Sequence, residues 1–172
     1  MSSITRELNR DERDRLLAHL LALSPEDRRL RFAHAIADDG LQRYVEGIDF
    51  TRDTVFVATD AELPVVGAAH VARDDEHAEL GVSVLPQARG HGIGAALLER
   101  SAIHARIAGV RVLFMNCLVE NAPMLHLARK QGLQVAVSSG EAEAFVRLPR
   151  PSLRSLASEA VADHLGLIDH AH

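Results

Sequence analysis

Residues 84–98 read Val-Leu-Pro-Gln-Ala-Arg-Gly-His-Gly-Ile-Gly-Ala-Ala-Leu-Leu, an apolar strand-like run carried through a glycine-rich turn into an apolar helix-like run. Glycines at 90, 92 and 94 admit backbone angles that a Cβ forbids and let a ligand approach the main chain closely. A helix that starts at such a turn leaves its first N–H groups without intrahelical partners, beside the positive end of its dipole. That combination binds phosphate. Any fold this chain adopts must accommodate a strand, a glycine cradle and a helix in immediate succession.

The flanking pattern narrows the choice. A short strand is expected around Ile4 to Leu8. Leucines at 16, 17, 20, 21 and 23 among charges give a helical stripe over Asp11 to Leu23. Ser24-Pro25-Glu26-Asp27 supplies an N-cap hydroxyl, a first-position proline and first-turn acids, predicting a helix to about Ala37. Asp38-Asp39-Gly40 is read as its break, followed by a shorter helix over Leu41 to Glu46. The β-branched runs Thr54 to Thr59 and Val65 to Val71 then form a hairpin about the polar turn Asp60 to Pro64, and Ala78 to Leu85 adds a third antiparallel strand. After the glycine loop come a helix over 93–108, a buried strand Val110 to Leu118, a helix Asn121 to Gln131, and two strands between Gln134 and Leu148.

With 172 residues, the chain suits one well-filled domain over 1–150, followed by a helical tail over 151–172. A net charge of -5 with interspersed signs offers no broad basic field, which argues against nucleic-acid binding. No apolar run reaches membrane-spanning length and the N-terminus has no h-region, so no membrane association and a cytoplasmic location are expected. The ten histidines show no metal-ligand spacing and the single cysteine, Cys117, reads as a small core residue, so no metal site is expected.

Three phosphate-binding readings compete for the loop. A Walker loop requires a lysine that is missing here. Gly90-His91-Gly92-Ile93-Gly94-Ala95 matches a relaxed dinucleotide pattern, yet an NAD-binding oxidoreductase places that loop in the first βα unit of a parallel sheet, not after an antiparallel meander. The third reading is Arg89-x-x-Gly92-x-Gly94 with Gln87 upstream, which resembles motif A of the GNAT N-acetyltransferases. Residues 84–94 resemble that family's strand-to-helix junction, and Glu120 to Leu133, with Asn121 opening the helix and Gly132 ending it, resembles its next motif. Leu23-Ser24-Pro25-Glu26, Arg31-Phe32, Ile48-Asp49-Phe50 and the Asn-x-x-Met-Leu-x-Leu-Ala helix are similar to the acetyltransferase domain of Pat-type bacterial protein lysine acetyltransferases.

The resemblance implies an α/β (α+β) GNAT fold, a mixed, mostly antiparallel sheet of six to seven strands flanked by helices, here with an extra C-terminal helix. It implies acetyl transfer from acetyl-CoA to an amine, either a protein lysine or a small molecule, by direct attack in a ternary complex. A catalytically weak acyl-CoA sensor or scaffold is the alternative of a different class. The resemblance further implies that Val82, Ser83 and Val84 line the pantetheine arm, and that the amides of Arg89, Gly90, His91, Gly92, Ile93, Gly94 and Ala95 hold the pyrophosphate. Asn121 would cap its helix, contact the cosubstrate, or both.

An ammonium of pKa about 10.4 must lose a proton before it attacks a thioester. Glu79 stands where several family members place a glutamate base; a solvated strand residue is the plain alternative, and Glu76 falls in a turn. The Val84 N–H is the candidate donor to the developing oxyanion. The tyrosine that many members use to protonate the leaving thiolate corresponds to Ala128, and the only tyrosine, Tyr44, lies far upstream. His126 and His91 carry no assigned chemistry beyond the loop contact of His91. A homodimer through the tail or the last strands is a further expectation.

Overall fold

A computed structural model describes residues 4–149, together with 157, 160 and 161. The expected C-terminal helical tail lies, those three positions apart, outside the described residues. Strands β1 (Ile4–Glu7), β2 (Thr54–Thr59), β3 (Gly67–Asp74), β4 (His77–Val84), β5 (Val112–Leu118), β6 (Gln134–Ser138) and β7 (Glu141–Arg147) form one sheet in the order β1-β2-β3-β4-β5-β7-β6. Helices α1 (Arg13–Leu21), α2 (Pro25–Phe32) and α3 (Asp38–Glu46) precede β2, α4 (Ile93–Ile107) links β4 to β5, and α5 (Ala122–Lys130) links β5 to β6. Every strand pair is antiparallel except β4 with β5. The strands before the glycine loop are therefore an antiparallel meander, which removes the dinucleotide-binding reading.

The sheet is covered on both faces, and the alternation along β2 shows why its sequence is apolar throughout. Val55 and Val57 enter a cluster with Leu16 and Leu20 of α1 and Leu41 and Val45 of α3, while Phe56 and Ala58 enter the opposite cluster with Leu97 and Leu98 of α4. Arg100 of α4, buried to 5% exposure, lies over the Phe56 ring at 4.8 Å and donates to the Thr5 carbonyl at 2.5 Å, tying α4 to the sheet edge.

Two expectations in the helical segment are corrected. The helix capped by Ser24, whose Oγ accepts from Asp27 N–H at 3.1 Å, ends at Phe32 rather than near Ala37, because Ala33 turns left-handed at φ 63°. Asp38-Asp39-Gly40 does not break a helix; it is the first turn of α3, where both acids meet the positive end of the dipole. Gly40 suits that place because a Cβ would lie 2.8 Å from Ile36 Cγ1. The third meander strand runs from His77 to Val84, a residue earlier at each end than expected.

Candidate functional site

The ladder between β4 and β5 is short. Its register runs only from His77↔Val112 to Glu79↔Phe114, after which β5 follows β7 and β4 continues alone beside β3. The two central strands therefore open a wedge from residue 80 onward. At its far end Leu85 N–H donates to Val66 O at 2.8 Å, so strand alternation turns the N–H and C=O of Val84, and of Val82 before it, toward the wedge. The Val84 carbonyl is taken by Arg89 Nε at 3.0 Å. The Val84 N–H sits beside it on the same edge.

The glycine loop closes the wedge's other wall. Gly90 and Gly92 both adopt φ 79°, and nothing lies within 4 Å of where either Cβ would stand, so their backbones face open space. The first backbone bond of α4 runs from Ala96 N–H to Gly92 O at 3.0 Å. The amides of Ile93, Gly94 and Ala95 precede it and are left for a ligand. Wedge and cradle are continuous in a cleft of about 510 Å³.

Of the expected cosubstrate residues, Val82, Ser83 and Val84 line this cleft, as do Arg89, Gly90 and Gly92 and, from α4, Ile93, Gly94 and Ala95. Asn121 also lines it and does two further things: its Oδ1 caps α5 through Met124 N–H, and its Nδ2 donates to Leu30 O of α2, each at 3.4 Å. Two expected residues do not line it. His91 turns back, Nδ1 lying 3.3 Å from the Ala88 carbonyl. Glu79 is exposed just beyond the wedge's closed end, where Asn116 Nδ2 donates to its Oε1 at 3.4 Å. Arg89 lines the cleft but is corrected as a donor to it: its N–H goes to Pro86 O at 3.3 Å and its side chain to Asp27 of α2 at 3.0 Å, which leaves the expected amide row to start at Gly90. Ala128, at the position of the customary tyrosine, is buried at 1% exposure in the core.

The odd residues of β4 face the α1–α3 side of the sheet, and there the structure assembles groups that the sequence did not join. His19 of α1 meets Ser83: Nδ1 donates to the Val65 carbonyl at 3.3 Å and Nε2 accepts from Ser83 Oγ at 2.8 Å. The Arg31 guanidinium lies directly against Gly81, occupying the space that a Cβ there would take. It also lines the cleft. Its Nη2 donates to Tyr44 Oη at 3.1 Å, Tyr44 donates to His70 Nδ1 at 2.5 Å, and His70 Nε2 donates to Asp53 Oδ2 at 3.0 Å. His70 stands opposite Gly81 across the β3–β4 ladder. The one sequence signal for this chain of bonds is His70, which interrupts an otherwise apolar strand; Tyr44 lies 26 residues upstream of it with nothing local to join them.

Electrostatics fixes the protonation of both histidines. Burial pushes His19 down to about 4, with the Arg31 charge acting in the same sense and the Val65 carbonyl opposing. Burial likewise lowers His70, opposed by its bond to Asp53. Burial acts to raise Asp53, yet hydrogen bonds from Arg52 and His70 hold it below the usual carboxylate range. A histidine neutral in the fold but protonated once unfolded stabilises fully above the unfolded pKa of about 6.5, and that contribution is lost as pH falls toward the folded value. Acidification from pH 7 to 4 should therefore remove about 3 kcal/mol through His19. Urea unfolding across that range checks it; in His19→Gln the slope should flatten, and an unchanged slope would assign acid sensitivity elsewhere.

Among the described residues no three His, Cys, Asp or Glu side chains form a group able to hold a metal, and no helix is long and apolar enough to cross a membrane. Comparison with known proteins agrees with this architecture. The chain is 31% identical over 119 aligned positions to streptothricin acetyltransferase of Streptomyces lavendulae, a match that covers 62% of this chain and 62% of that protein. The GNAT domain of S. lividans PAT superposes with a TM-score of 0.73 at 21% identity, covering 85% of this chain and 90% of that one. The yncA protein of Salmonella typhimurium, solved with its cofactor acetyl-CoA, superposes with a TM-score of 0.65 at 18% identity, covering 88% and 97%. Residues 20–133, which run from α1 through the wedge and glycine cradle to the end of the Asn121-capped helix, match the Acetyltransferase (GNAT) family. The chain belongs to that family.

Proposed function

We propose that this chain is an N-acetyltransferase that takes acetyl from acetyl-CoA and passes it directly to an amine while both are bound. The observation that carries the reading is the β4–β5 wedge, whose ladder stops at Glu79↔Phe114 and whose open edge runs straight into the glycine cradle. An extended thioester with a pyrophosphate fits that shape at both ends: free strand-edge groups for an amide-bearing arm, and left-handed glycines with unpaired helix amides for the anion. Acetyl-CoA, when bound, supplies an activated acyl carbon. The likeness to an acetyltransferase named for streptothricin supports the same transfer.

The residues divide the work as follows. The amides from Gly90 to Ala95 hold the pyrophosphate, and Asn121 fixes α5 to α2 above it. Val82 and Val84 offer strand-edge groups to the arm. The Val84 N–H donates to the carbonyl oxygen, which gains negative charge as the amine adds. Glu79, solvated just beyond the wedge's closed end, accepts a proton from the acceptor ammonium through water, leaving the nitrogen lone pair to form the new C–N bond; the second N–H proton passes to solvent as the C–S bond breaks. Ala128 can supply no acid, so the departing thiolate takes its proton from solvent; with a thiol pKa of about 8.5 it is a tolerable leaving group.

Titration calorimetry with acetyl-CoA, followed by mass spectrometry of an amine panel incubated with labelled acetyl-CoA, tests the reading. Micromolar binding and a labelled amide are expected. Binding without transfer to any amine would make the chain an acyl-CoA sensor, and absence of binding would refute the proposal altogether.

A further inference from the structure

Helix α2 carries arginines at 28, 29 and 31. Arg28 pairs with Asp38 at 2.7 Å and Arg29 pairs with Glu26 and Glu120, each at 2.8 Å. Arg31 differs. It is half-buried, and among the described residues it makes one hydrogen bond, to the Tyr44 hydroxyl, and no ion pair. Of the carboxylates around it, Asp27 pairs with Arg89 and Asp53 with Arg52 and His70, while Glu79, on the same face of β4 two residues from Gly81, accepts from Asn116 and makes no ion pair with Arg31. A guanidinium does not deprotonate, so a partly desolvated one without a counter-anion is held at a penalty that a ligand anion can relieve.

Its position is fixed rather than incidental. Phe32 and Tyr44 lie beneath the guanidinium, with ring centroids 4.6 and 5.8 Å from its Cζ. Tyr44 Oη accepts from Arg31 through a lone pair while its own proton goes to His70 Nδ1, and Nδ1 is free to accept because Asp53 takes the proton on Nε2. Asp53, His70 and Tyr44 thus form an aligned set of donors and acceptors whose outcome is a guanidinium held over Gly81, on the α1–α3 face of β4. Gly81 immediately precedes Val82, whose backbone lines the cleft. A second cation entering alone would meet this charge in a partly desolvated mouth, whereas a planar carboxylate matches the guanidinium in a two-point bond.

We infer that Arg31, held by Tyr44, His70 and Asp53, is an acceptor-binding residue that recognises a carboxylate, so that the amine acetylated here is one that carries a carboxylate close to its nitrogen. The inference rests on the acetyltransferase reading above and names the substrate class for it. Arg31 and Glu79 then divide the acceptor between them: the first takes its anion, the second its ammonium proton. Tyr44, His70 and Asp53 are positioning residues that touch neither.

The test uses matched pairs of amines with and without the carboxylate: L-phenylalanine with phenethylamine, L-lysine with cadaverine, and L-methionine with its decarboxylated amine. Wild-type protein should show kcat/KM at least tenfold higher for at least one carboxylate-bearing member than for its partner. Arg31→Gln should erase that preference chiefly through KM, while acetyl-CoA binding by calorimetry stays within threefold and reports an intact fold. Gly81→Ala is an independent variant: the three atoms nearest its Cβ all belong to the Arg31 guanidinium, so it should displace that group, keep the melting temperature within a few degrees and lose the same preference. His70→Ala should weaken the preference through KM less than Arg31→Gln does. Equal kcat/KM within every pair, preference for the carboxylate-free member, a preference that survives both Arg31→Gln and Gly81→Ala, or no turnover of any carboxylate-bearing amine by protein that binds acetyl-CoA, each overturns the inference. Failure to bind acetyl-CoA at all overturns the acetyltransferase reading instead, so the two failures are distinguishable.

Discussion

Glu79→Gln is expected to lower kcat by roughly 10²- to 10⁴-fold, the range that a positioned general base supplies, while leaving acetyl-CoA affinity unchanged. The substitution keeps the shape and the possible bond with Asn116, whose amide donates to Glu79 Oε1, and removes only the ability to take a proton. Because Glu79 is exposed and off the cleft lining, its loss should not disturb packing or the cradle. The acceptor gives a second signature. An ammonium of pKa about 10.4 loses its proton unaided as pH rises, so the deficit of the variant should narrow toward pH 10. Initial rates of CoA release over pH 7–10 measure both effects. A variant as fast as wild type at pH 7 would reduce Glu79 to a solvated strand residue and move the search for the base to ordered water or to the His70 side of the mouth.

Much of this site could be read from the chain because its parts are local. The glycine loop needs only residues 84–98 to announce a strand, a cradle and a helix; the Asn121 cap and the Gly132 stop sit within one helix of each other. The meander was legible for the same reason, since the Asp60 to Pro64 turn and β-branched runs specify neighbours in sequence. The end of α2 was not legible: Ala33 is left-handed without any glycine or asparagine to signal it, and tertiary packing rather than propensity decides the boundary. Asp38-Asp39-Gly40 misled in the opposite way. Its turn-forming composition is outweighed by burial of Leu41 and Val45 against α1, which recruits the preceding residues as a first turn.

The Arg31–Tyr44–His70–Asp53 set was invisible for a different reason. Its members come from α2, α3, β3 and the segment before β2, and only the register that sets His70 opposite Gly81 brings them together. A single glycine in the middle of β4 admits Arg31 to the sheet surface, and nothing local in Leu80-Gly81-Val82 says which side chain will fill that space. The wedge itself is also non-local: it is seen only in the pairing of β4 with β5, two strands separated in sequence by the whole of α4, whose ladder stops at Glu79↔Phe114.

Gly92→Asp should weaken acetyl-CoA binding by more than 100-fold, and Gly92→Asn should weaken it far less. Both place a side chain on a residue at φ 79°, a conformation that Asp and Asn tolerate better than other residues with a Cβ, and no neighbouring atom lies within 4 Å of that Cβ. Folding is therefore expected to survive in both, with a shared penalty of about 1 kcal/mol from the backbone. The difference between them is one negative charge at the N-terminus of α4, facing the amides that are proposed to hold the pyrophosphate. Two like charges about 4 Å apart at an effective dielectric of about 20 repel by about 4 kcal/mol, ample for the stated loss. Screening supplies an internal check. The gap between the Asp and Asn variants should shrink as salt is raised from 0.05 to about 1 M, where the Debye length falls to about 3 Å. Calorimetric titration of both variants with acetyl-CoA at low and high salt measures it. Equal affinities for the two would mean that the anion lies elsewhere, and the cradle would then be a close-packing turn between strand and helix rather than the seat of the pyrophosphate.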